Sequence, residues 1–165
     1  MIILERVSKI NYYLNIAEEV SKRSTCLRRM YGSVIVNNDE IISTGYNGAP
    51  RGVENCCDRG ICTRSELEIP RGTRTEICRA CHSEENAIIS ASRRDMIGAD
   101  LYLAGREVLT GEYIENACPC NMCKKRIINA GIKNVYVRDD ENNYRKYSVK
   151  DWIHDINLLI GVDGY

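Results

Sequence analysis

PCNMCKKRIINAG, residues 119–131, is the stretch of sequence around which the predicted fold is arranged. Pro119 stands where the first turn of a helix tolerates a missing amide proton, and Gly131 stands where a helix ends. On either side lie two runs typical of strands, ADLYLAG at 99–105 and KNVYVRD at 133–139. Strands that alternate with helices indicate one mixed sheet with helices on both faces.

Apolar patterns in the rest of the chain extend this arrangement. Steps of three and four between apolar residues predict an amphipathic helix from about Leu4 to Val20. Two β-rich runs at 33–37 and 40–46 flank a turn-prone Asn-Asn-Asp sequence and predict a hairpin. Further helices are expected at 81–94 and 150–160. Together these elements predict a three-layer α/β/α fold with a mixed central sheet.

Length and charge narrow the class of protein. A chain of 165 residues suits a single domain over 1–165. Its 23 basic and 23 acidic residues give no net charge, which argues against a protein that grips nucleic acid by bulk charge. No segment approaches the roughly 20 apolar residues that cross a bilayer, and charged residues interrupt the N-terminal apolar run. We therefore expect a cytoplasmic protein with neither a membrane nor a nucleic acid as partner.

Nine cysteines in such a compartment favour metal binding over disulfides. A catalytic zinc needs three protein ligands and one open position for water. Cys120 and Cys123 lie three residues apart at a predicted helix start, whose positive end favours the thiolates that bind metal. His82 would supply the third ligand. Glu84, two residues further on, is the candidate catalytic residue, since its carboxylate could face the zinc-bound water.

The order His-x-Glu followed by Pro-Cys-x-x-Cys is the signature of zinc deaminases that act on nucleobases. The chain resembles the deoxycytidylate deaminase family from about residue 25 to 137, in the stretches TCLRRMYGSVIV, IISTGYNGAPRG, ICRACHSEENAI and PCNMCKKRIINAGI. This resemblance implies a cytidine deaminase-like fold and the conversion of dCMP to dUMP for thymidylate synthesis. Ser83 departs from the family, which usually has alanine between the metal histidine and the catalytic glutamate.

The expected mechanism follows from these parts. Zinc lowers the pKa of bound water from about 16 to about 7 and so generates hydroxide at neutral pH. Glu84 would accept the water proton and deliver it to N3 of the pyrimidine. Hydroxide attacks C4, and Glu84 then protonates the departing amine. Asn47, in the sequence GYNG, matches a position where the family places an asparagine against the substrate, although it also suits a turn.

The resemblance to a bacterial and viral branch of the family implies a second, structural zinc. Its four ligands would be the cysteines that match this branch, Cys26, Cys56, Cys62 and Cys78. Four thiolates leave no open position, so such an ion would organise the cysteine-rich insertion at 47–78 and take no part in catalysis. Cys57 could replace Cys56, and Cys81 could replace Cys78. Alternatively these cysteines, like Cys118, are small buried packing residues.

Substrate contacts and assembly are less determined by the sequence. A guanidinium binds phosphate through two parallel hydrogen bonds, so the candidate phosphate ligands are Arg28, Arg29, Arg51 and Arg93. The resemblance also implies a homo-oligomer, a hexamer in many members, with dCTP and dTTP as effectors. The competing hypotheses are deamination of cytidine, guanine or a tRNA adenosine, and a non-enzymatic zinc module that binds partners through its cysteine-rich segment.

Overall fold

The computed structural model describes residues 4–71 and 73–155, and five strands of that region form one sheet. The strands are β1 (Arg29–Asn37), β2 (Glu40–Tyr46), β3 (Asp100–Glu107), β4 (Asn134–Arg138) and β5 (Tyr144–Ser148). Their order in the sheet is β2-β1-β3-β4-β5. Only the β3 and β4 neighbours are parallel, and the other three pairs are antiparallel. The predicted mixed sheet is therefore confirmed.

Seven α-helices lie in the same described residues. They are α1 (Lys9–Ser21), α2 (Cys56–Arg59), α3 (Thr63–Glu66), α4 (Ser83–Ile89), α5 (Arg93–Met96), α6 (Asn121–Ala130) and α7 (Val149–His154). The α6 crossover joins the parallel strands β3 and β4, as parallel neighbours require. None of these helices is both long enough and apolar enough to span a membrane.

Two cores lie on opposite faces of the sheet, because successive strand side chains point in opposite directions. On one face, Val34 of β1 packs with Leu14 and Ala17 of α1. On the other face, the next residue, Ile35, belongs to a core that also contains side chains of α4, α6 and α7. Burying a residue such as Leu14 contributes roughly 2 kcal/mol. This layering confirms the predicted α/β/α architecture.

The first helix begins later than its apolar pattern predicts. It starts at Lys9 rather than Leu4, and the side chains of Leu4 and Val7 are exposed. Ser8 lies in an extended conformation, and its hydroxyl accepts a hydrogen bond from the backbone N–H of Asn11 at 3.2 Å. A serine cap of this kind ends the run of helical residues on its N-terminal side. The apolar periodicity before Ser8 was therefore misleading.

The predicted helix at 81–94 is wrong in extent, because it divides into α4 and α5. Ser92, in an extended conformation, separates them and precedes the first residue of α5. The side chain of Asn37, at the end of β1, donates to the carbonyl oxygens of Asp95 and Ile97 at 2.8 and 3.3 Å. This long-range contact ties α5 to the sheet. The helix predicted at 150–160 is confirmed only at its start, by α7. Residues 156–160 lie outside the described residues.

Two further differences concern segments without a clear pattern. The cysteine-rich insertion at 47–78, for which no helix or strand was predicted, contains the single-turn helices α2 and α3 and a 3-10 turn at Thr75–Ile77. Buried Arg64 supports it by donating to the carbonyl oxygens of Pro70 and Thr73 at 3.1 and 2.7 Å. β5 was not predicted either, since its sequence YRKYS places polar residues on an edge strand.

A close approach between β2 and α4 fixes the position at which α4 begins. A Cβ atom at Gly45 would overlap the carbonyl oxygen of Ser83 and the amide nitrogen of Ala87. Beside it, the Ser43 hydroxyl donates to the carbonyl oxygen of Ala87 at 2.7 Å. Only glycine permits this approach, so Gly45 sets the distance between the sheet and the helix that begins after His82.

We predict that Gly45→Ala lowers the free energy of unfolding by about 3 kcal/mol, because the added methyl group must displace backbone rather than a flexible side chain. Thr44→Ala is the matched control on the same strand, where the side chain is exposed, and it should cost less than about 1 kcal/mol. Urea denaturation measures both variants. Equal destabilisation by the two would contradict the role given to Gly45.

Candidate active site

His82, Cys120 and Cys123 converge on one point between α4 and α6. The Nδ1 atom of His82 lies 3.4 Å from the sulfur of Cys120 and 3.4 Å from that of Cys123. All three side chains are buried, and their ligand atoms lie within 4.8 Å of one another. Ordinary zinc bond lengths in a tetrahedral site place a nitrogen and a sulfur about 3.6 Å apart. The donor set and its spacing therefore fit a zinc ion.

Two helix starts present these ligands. His82 is the N-cap of α4, and Cys120 is the N-cap of α6, with Cys123 in the first turn. Glu85 links the two helices, since it accepts from the backbone N–H of His82 at 3.4 Å and pairs with Arg126 of α6 at 3.1 Å. Neither Glu85 nor Arg126 was predicted as a site residue. Glu85 could have been found as the third residue of a capping box.

The protonation of the three ligands is coupled. The hydrogen bond with Cys123 lowers the pKa of Cys120; burial opposes this, and the contact with His82 adds to the lowering. The same bond with Cys120 and burial raise the pKa of Cys123. Burial opposes protonation of His82, but its contact with Cys120 and the charge of Glu84 raise its pKa overall. The three ligand side chains thus influence one another's protonation at close range, as neighbouring ligands of one cation do.

Glu84 is fully buried beside this group, on the first turn of α4. Its charge raises the pKa values of both His82 and Cys123, so the carboxylate lies within electrostatic range of the ligands. The Ser83 hydroxyl donates to Oε2 of Glu84 at 3.0 Å. A buried carboxylate beside three candidate metal ligands has the position that a general base and acid needs.

Asn47 lies after β2 and is also buried. Its side-chain oxygen accepts from the backbone N–H of Tyr31 at 2.8 Å, and its Nδ2 donates to the carbonyl oxygen of Arg29 at 2.8 Å. The side chain therefore extends the hydrogen bonding of β1 and does not shape a turn. An amide nitrogen has two donors, so this arrangement uses one N–H and leaves the second for another acceptor.

A cleft beside His82 carries four arginines. We call it the arginine cleft, and its lining includes Arg28, Arg29, Arg64, Arg71, Asn47 and His82. Glu107 pairs with Arg29 at 3.0 Å and lies 3.8 Å from Arg71. Within the described part of the chain, no carboxylate pairs with Arg28. Arg64 and Arg71 were not predicted as site residues, because the segment that contains them shows no sequence pattern.

The two other predicted phosphate ligands lie outside the arginine cleft. Arg51 is exposed and borders a separate groove between β2 and α4. Arg93 donates to the carbonyl oxygen of Asn129 at 2.9 Å, near the C-terminal end of α6. Nine residues of helix separate Asn129 from Cys120, which is roughly 14 Å along the axis. Arg28 and Arg29 thus line the cleft beside His82, whereas Arg51 and Arg93 lie elsewhere.

The four cysteines predicted for a second metal are neighbours. Burial raises the pKa of Cys56, and the sulfurs of Cys26, Cys62 and Cys78 raise it further. Among the described residues, however, only His82, Cys120 and Cys123 bring three ligand atoms within 4.8 Å. The four sulfurs are therefore spaced more widely than bound ligands would be.

The three remaining cysteines have different surroundings. Cys57 is exposed and its thiol donates to Asp58 at 3.7 Å. Burial raises the pKa of Cys81, and the nearby charges are those of Glu85, Arg126 and Cys78. Burial also raises the pKa of Cys118, which hydrogen bonds with Tyr147. These contacts favour Cys56 over Cys57 in the predicted quartet.

The chain is similar in sequence to known deaminases. A sequence profile of the cytidine and deoxycytidylate deaminase zinc-binding region matches residues 7–138. Over 137 residues the chain is 35% identical to the deoxycytidylate deaminase of Schizosaccharomyces pombe, covering 83% of this chain and 39% of the yeast protein. Over 154 residues it is 32% identical to the deoxycytidylate deaminase of Homo sapiens, covering 93% of this chain and 74% of the human protein. The chain thus spans about two fifths of the length of the yeast relative.

Solved structures agree with the sequences. The dCMP deaminase of the cyanophage S-TIM5 in apo form gives a TM-score of 0.56 at 28% identity, covering 80% of this chain and 85% of the phage chain. The same phage protein in complex with dCMP and dUMP gives a TM-score of 0.52 at 27% identity, covering 77% and 78%. The profile match over residues 7–138 spans His82, Glu84, Cys120 and Cys123.

Proposed function

The chain belongs to the cytidine and deoxycytidylate deaminase family, and on this basis we propose that it catalyses the hydrolytic deamination of dCMP to dUMP and ammonia, supplying dUMP for thymidylate synthesis. The observation that carries the proposal is the buried group of His82, Cys120 and Cys123 with Glu84 beside it. Relatives named as deoxycytidylate deaminases support the choice of substrate.

His82, Cys120 and Cys123 would hold the catalytic zinc, because one imidazole and two thiolates are the donors that zinc prefers. When bound there, zinc supplies a hydroxide at neutral pH by lowering the pKa of water to about 7. With only three ligands from the protein, such an ion would retain one position for a water molecule. The positive ends of α4 and α6 favour the thiolates, so the chain itself stabilises the ionised form of its ligands.

Glu84 moves the protons of the reaction. It accepts a proton from the attacking water and delivers it to N3 of the pyrimidine while a new C–O bond forms at C4. It then takes the remaining proton from the new C4 hydroxyl and transfers it to the amine, the C4–N bond breaks as C4=O forms, and ammonia leaves. Water and dCMP thus yield dUMP and ammonia with all atoms accounted for. Burial suits this role, since it excludes the solvent that would compete for the carboxylate.

The arginine cleft would hold the nucleotide. Arg28 is the proposed phosphate ligand, because Glu107 pairs with Arg29 and lies near Arg71, and Arg64 already donates to two backbone carbonyls. A guanidinium offers a planar pair of donors to phosphate oxygens. Asn47 borders the same cleft as His82, and its second amide N–H would donate to a hydroxyl of the sugar. These contacts select a nucleotide over a free nucleoside.

A structural zinc at Cys26, Cys56, Cys62 and Cys78 belongs to the same proposal. The mutual influence of these four sulfurs supports it, and so does their position around the insertion at 47–78. Ion binding would draw the sulfurs together and stabilise a segment whose helices have only four residues each. Because all four positions would be filled by thiolates, this ion would have no catalytic role.

Assembly and regulation are proposed from the family resemblance alone. On that basis the chain forms a homo-oligomer, of which a hexamer is the expected form, and responds to dCTP and dTTP. The neutral composition and the absence of phenylalanine give no support to a nucleic-acid substrate.

We predict that Glu84→Gln retains zinc but lowers kcat for dCMP by about a thousandfold, within the range that general acid and base catalysis contributes. Glu115→Gln is the matched control, because Glu115 is an exposed carboxylate outside the site, and its kcat should be unchanged. Ammonia release and zinc content measure the two effects. Near-normal turnover by Glu84→Gln would refute its role, and a wild-type protein inactive on dCMP, CMP, cytidine and deoxycytidine would refute the function.

We predict that Arg28→Ala lowers kcat/KM for dCMP by about 30-fold, the loss that follows when a charged hydrogen-bonding partner is removed. Activity on deoxycytidine, which has no phosphate, should change little. The control Arg51→Ala lies outside the arginine cleft and should leave both values unchanged. The ratio of kcat/KM for dCMP to that for deoxycytidine is the deciding quantity. An unchanged ratio in Arg28→Ala would remove Arg28 as the phosphate ligand.

We predict two zinc ions per chain in protein purified without chelators. Cys120→Ala and Cys56→Ala should each lower the count to one, but only Cys120→Ala should abolish activity directly. Cys57→Ala, which removes an exposed neighbour, should retain both ions. Elemental analysis of the purified variants gives the counts. A wild-type count of one would eliminate the structural zinc and leave the catalytic ion as the sole metal.

A further inference from the structure

We propose that Ser83, supported by Ser33, is a positioning residue that holds the Glu84 carboxylate by Oε2, so that Oε1 is the oxygen that transfers protons. This role rests on the proposed deaminase function, because it concerns the residue that would carry the protons. The proposed role depends on the hydroxyl groups of Ser83 and Ser33 rather than on the metal ligands.

Three polar side chains form a chain of contacts inside the protein. The Ser33 hydroxyl lies 2.8 Å from the Ser83 hydroxyl, which lies 3.0 Å from Oε2 of Glu84. All three residues are completely buried, with 0% of their surface exposed. Water therefore does not compete for these bonds, and hydrogen bonds to a charged group are stronger in such surroundings.

The direction of the two hydrogen bonds follows from the number of protons. An ionised carboxylate can only accept, so the single proton of Ser83 points to Oε2 of Glu84. The Ser83 oxygen is then the acceptor for the proton of Ser33. The chain of donors runs one way, from Ser33 to Ser83 to Glu84. Each hydroxyl therefore has a fixed orientation while the carboxylate is charged.

The two serines belong to rigid parts of the fold. Ser33 lies in β1, which pairs with a strand on each side, and Ser83 is the first residue of α4. The close contact at Gly45 involves the backbone of Ser83 itself. The carboxylate is therefore connected to the middle of the sheet, and its plane is fixed before a substrate arrives. Fixed geometry of this kind is what catalytic groups need from their supporting residues.

A fixed carboxylate distinguishes its two oxygens. Oε2 already accepts the hydrogen that Ser83 donates, which makes it the less basic of the two oxygens when Glu84 takes up a proton. The transferred proton is therefore carried by Oε1. The family resemblance indicates that alanine is usual at position 83, so this arrangement is a feature of the present chain.

The test compares two buried serines. Ser83→Ala should lower kcat for dCMP about tenfold, because a hydrogen bond to a charged group is lost, with KM and zinc content unchanged. Ser43→Ala is the matched control: it also removes a buried hydroxyl that contacts α4, but one that donates to the Ala87 carbonyl at 2.7 Å. This control should lose comparable stability and retain its kcat. A kcat of Ser83→Ala equal to that of the wild type would overturn the role.

Ser33 provides an independent check. Because Ser33 acts only through Ser83, Ser33→Ala should lower kcat less than Ser83→Ala, and the double variant should match Ser83→Ala alone. Ser83→Thr keeps the donor and should recover most of the lost kcat. If the double variant instead lost kcat by the product of the two single-variant factors, the proposed direction of the hydrogen bonds from Ser33 to Ser83 would be overturned. If Ser83→Ala does not fold, a fall in kcat at constant KM in Ser33→Ala supports the proposal, and an unchanged kcat overturns it.

The outcome also separates this inference from the function on which it rests. Wild-type protein that releases no ammonia from any cytosine nucleoside or nucleotide overturns both. Wild-type protein that deaminates dCMP while Ser83→Ala and Ser33→Ala retain full kcat overturns only the role of the serines.

Discussion

The meeting of two helix starts is the constraint on which the rest of the structure depends. His82 and Cys120 are 38 residues apart in sequence, yet their nitrogen and sulfur lie 3.4 Å from each other in the interior. Burying such polar groups is unfavourable unless they are bonded to one another or to a metal. The packing of α4 against α6 must therefore keep these atoms within a narrow range of distances, and the sheet must support both helices.

Several unrelated contacts hold α4 in place at this point. Gly45 allows the backbone of β2 to approach the helix, and Ser43 donates to its Ala87 carbonyl. The pair of Glu85 and Arg126 joins α4 to α6 at 3.1 Å. Each contact is modest by itself. Together they fix where α4 begins relative to the sheet and to α6.

Local charge differs from the overall charge of the chain. Equal numbers of acidic and basic residues give a net charge of zero, but four arginines line one cleft. Glu107 pairs with Arg29 and lies near Arg71, and Arg64 donates to the backbone carbonyls of Pro70 and Thr73, so Arg28 is the guanidinium proposed to bind an anion. A neutral composition is therefore compatible with specific binding of a small phosphate ester. The same composition argues against a long polyanion, which needs a continuous basic surface.

The sequence by itself determined the candidate metal ligands, the proposed catalytic carboxylate and the layered α/β order, because zinc chemistry restricts the usable residues and helix starts have local signals. It misplaced the start of α1, joined α4 to α5 and omitted β5, because apolar periodicity says little where serine caps or edge strands intervene. Tertiary structure alone decided which arginines share a cleft, that Asn47 binds β1, and that Ser33 contacts Ser83 across 50 residues of sequence. Those pairings depend on how strands and helices pack, and no local pattern of residues encodes the distance between two elements.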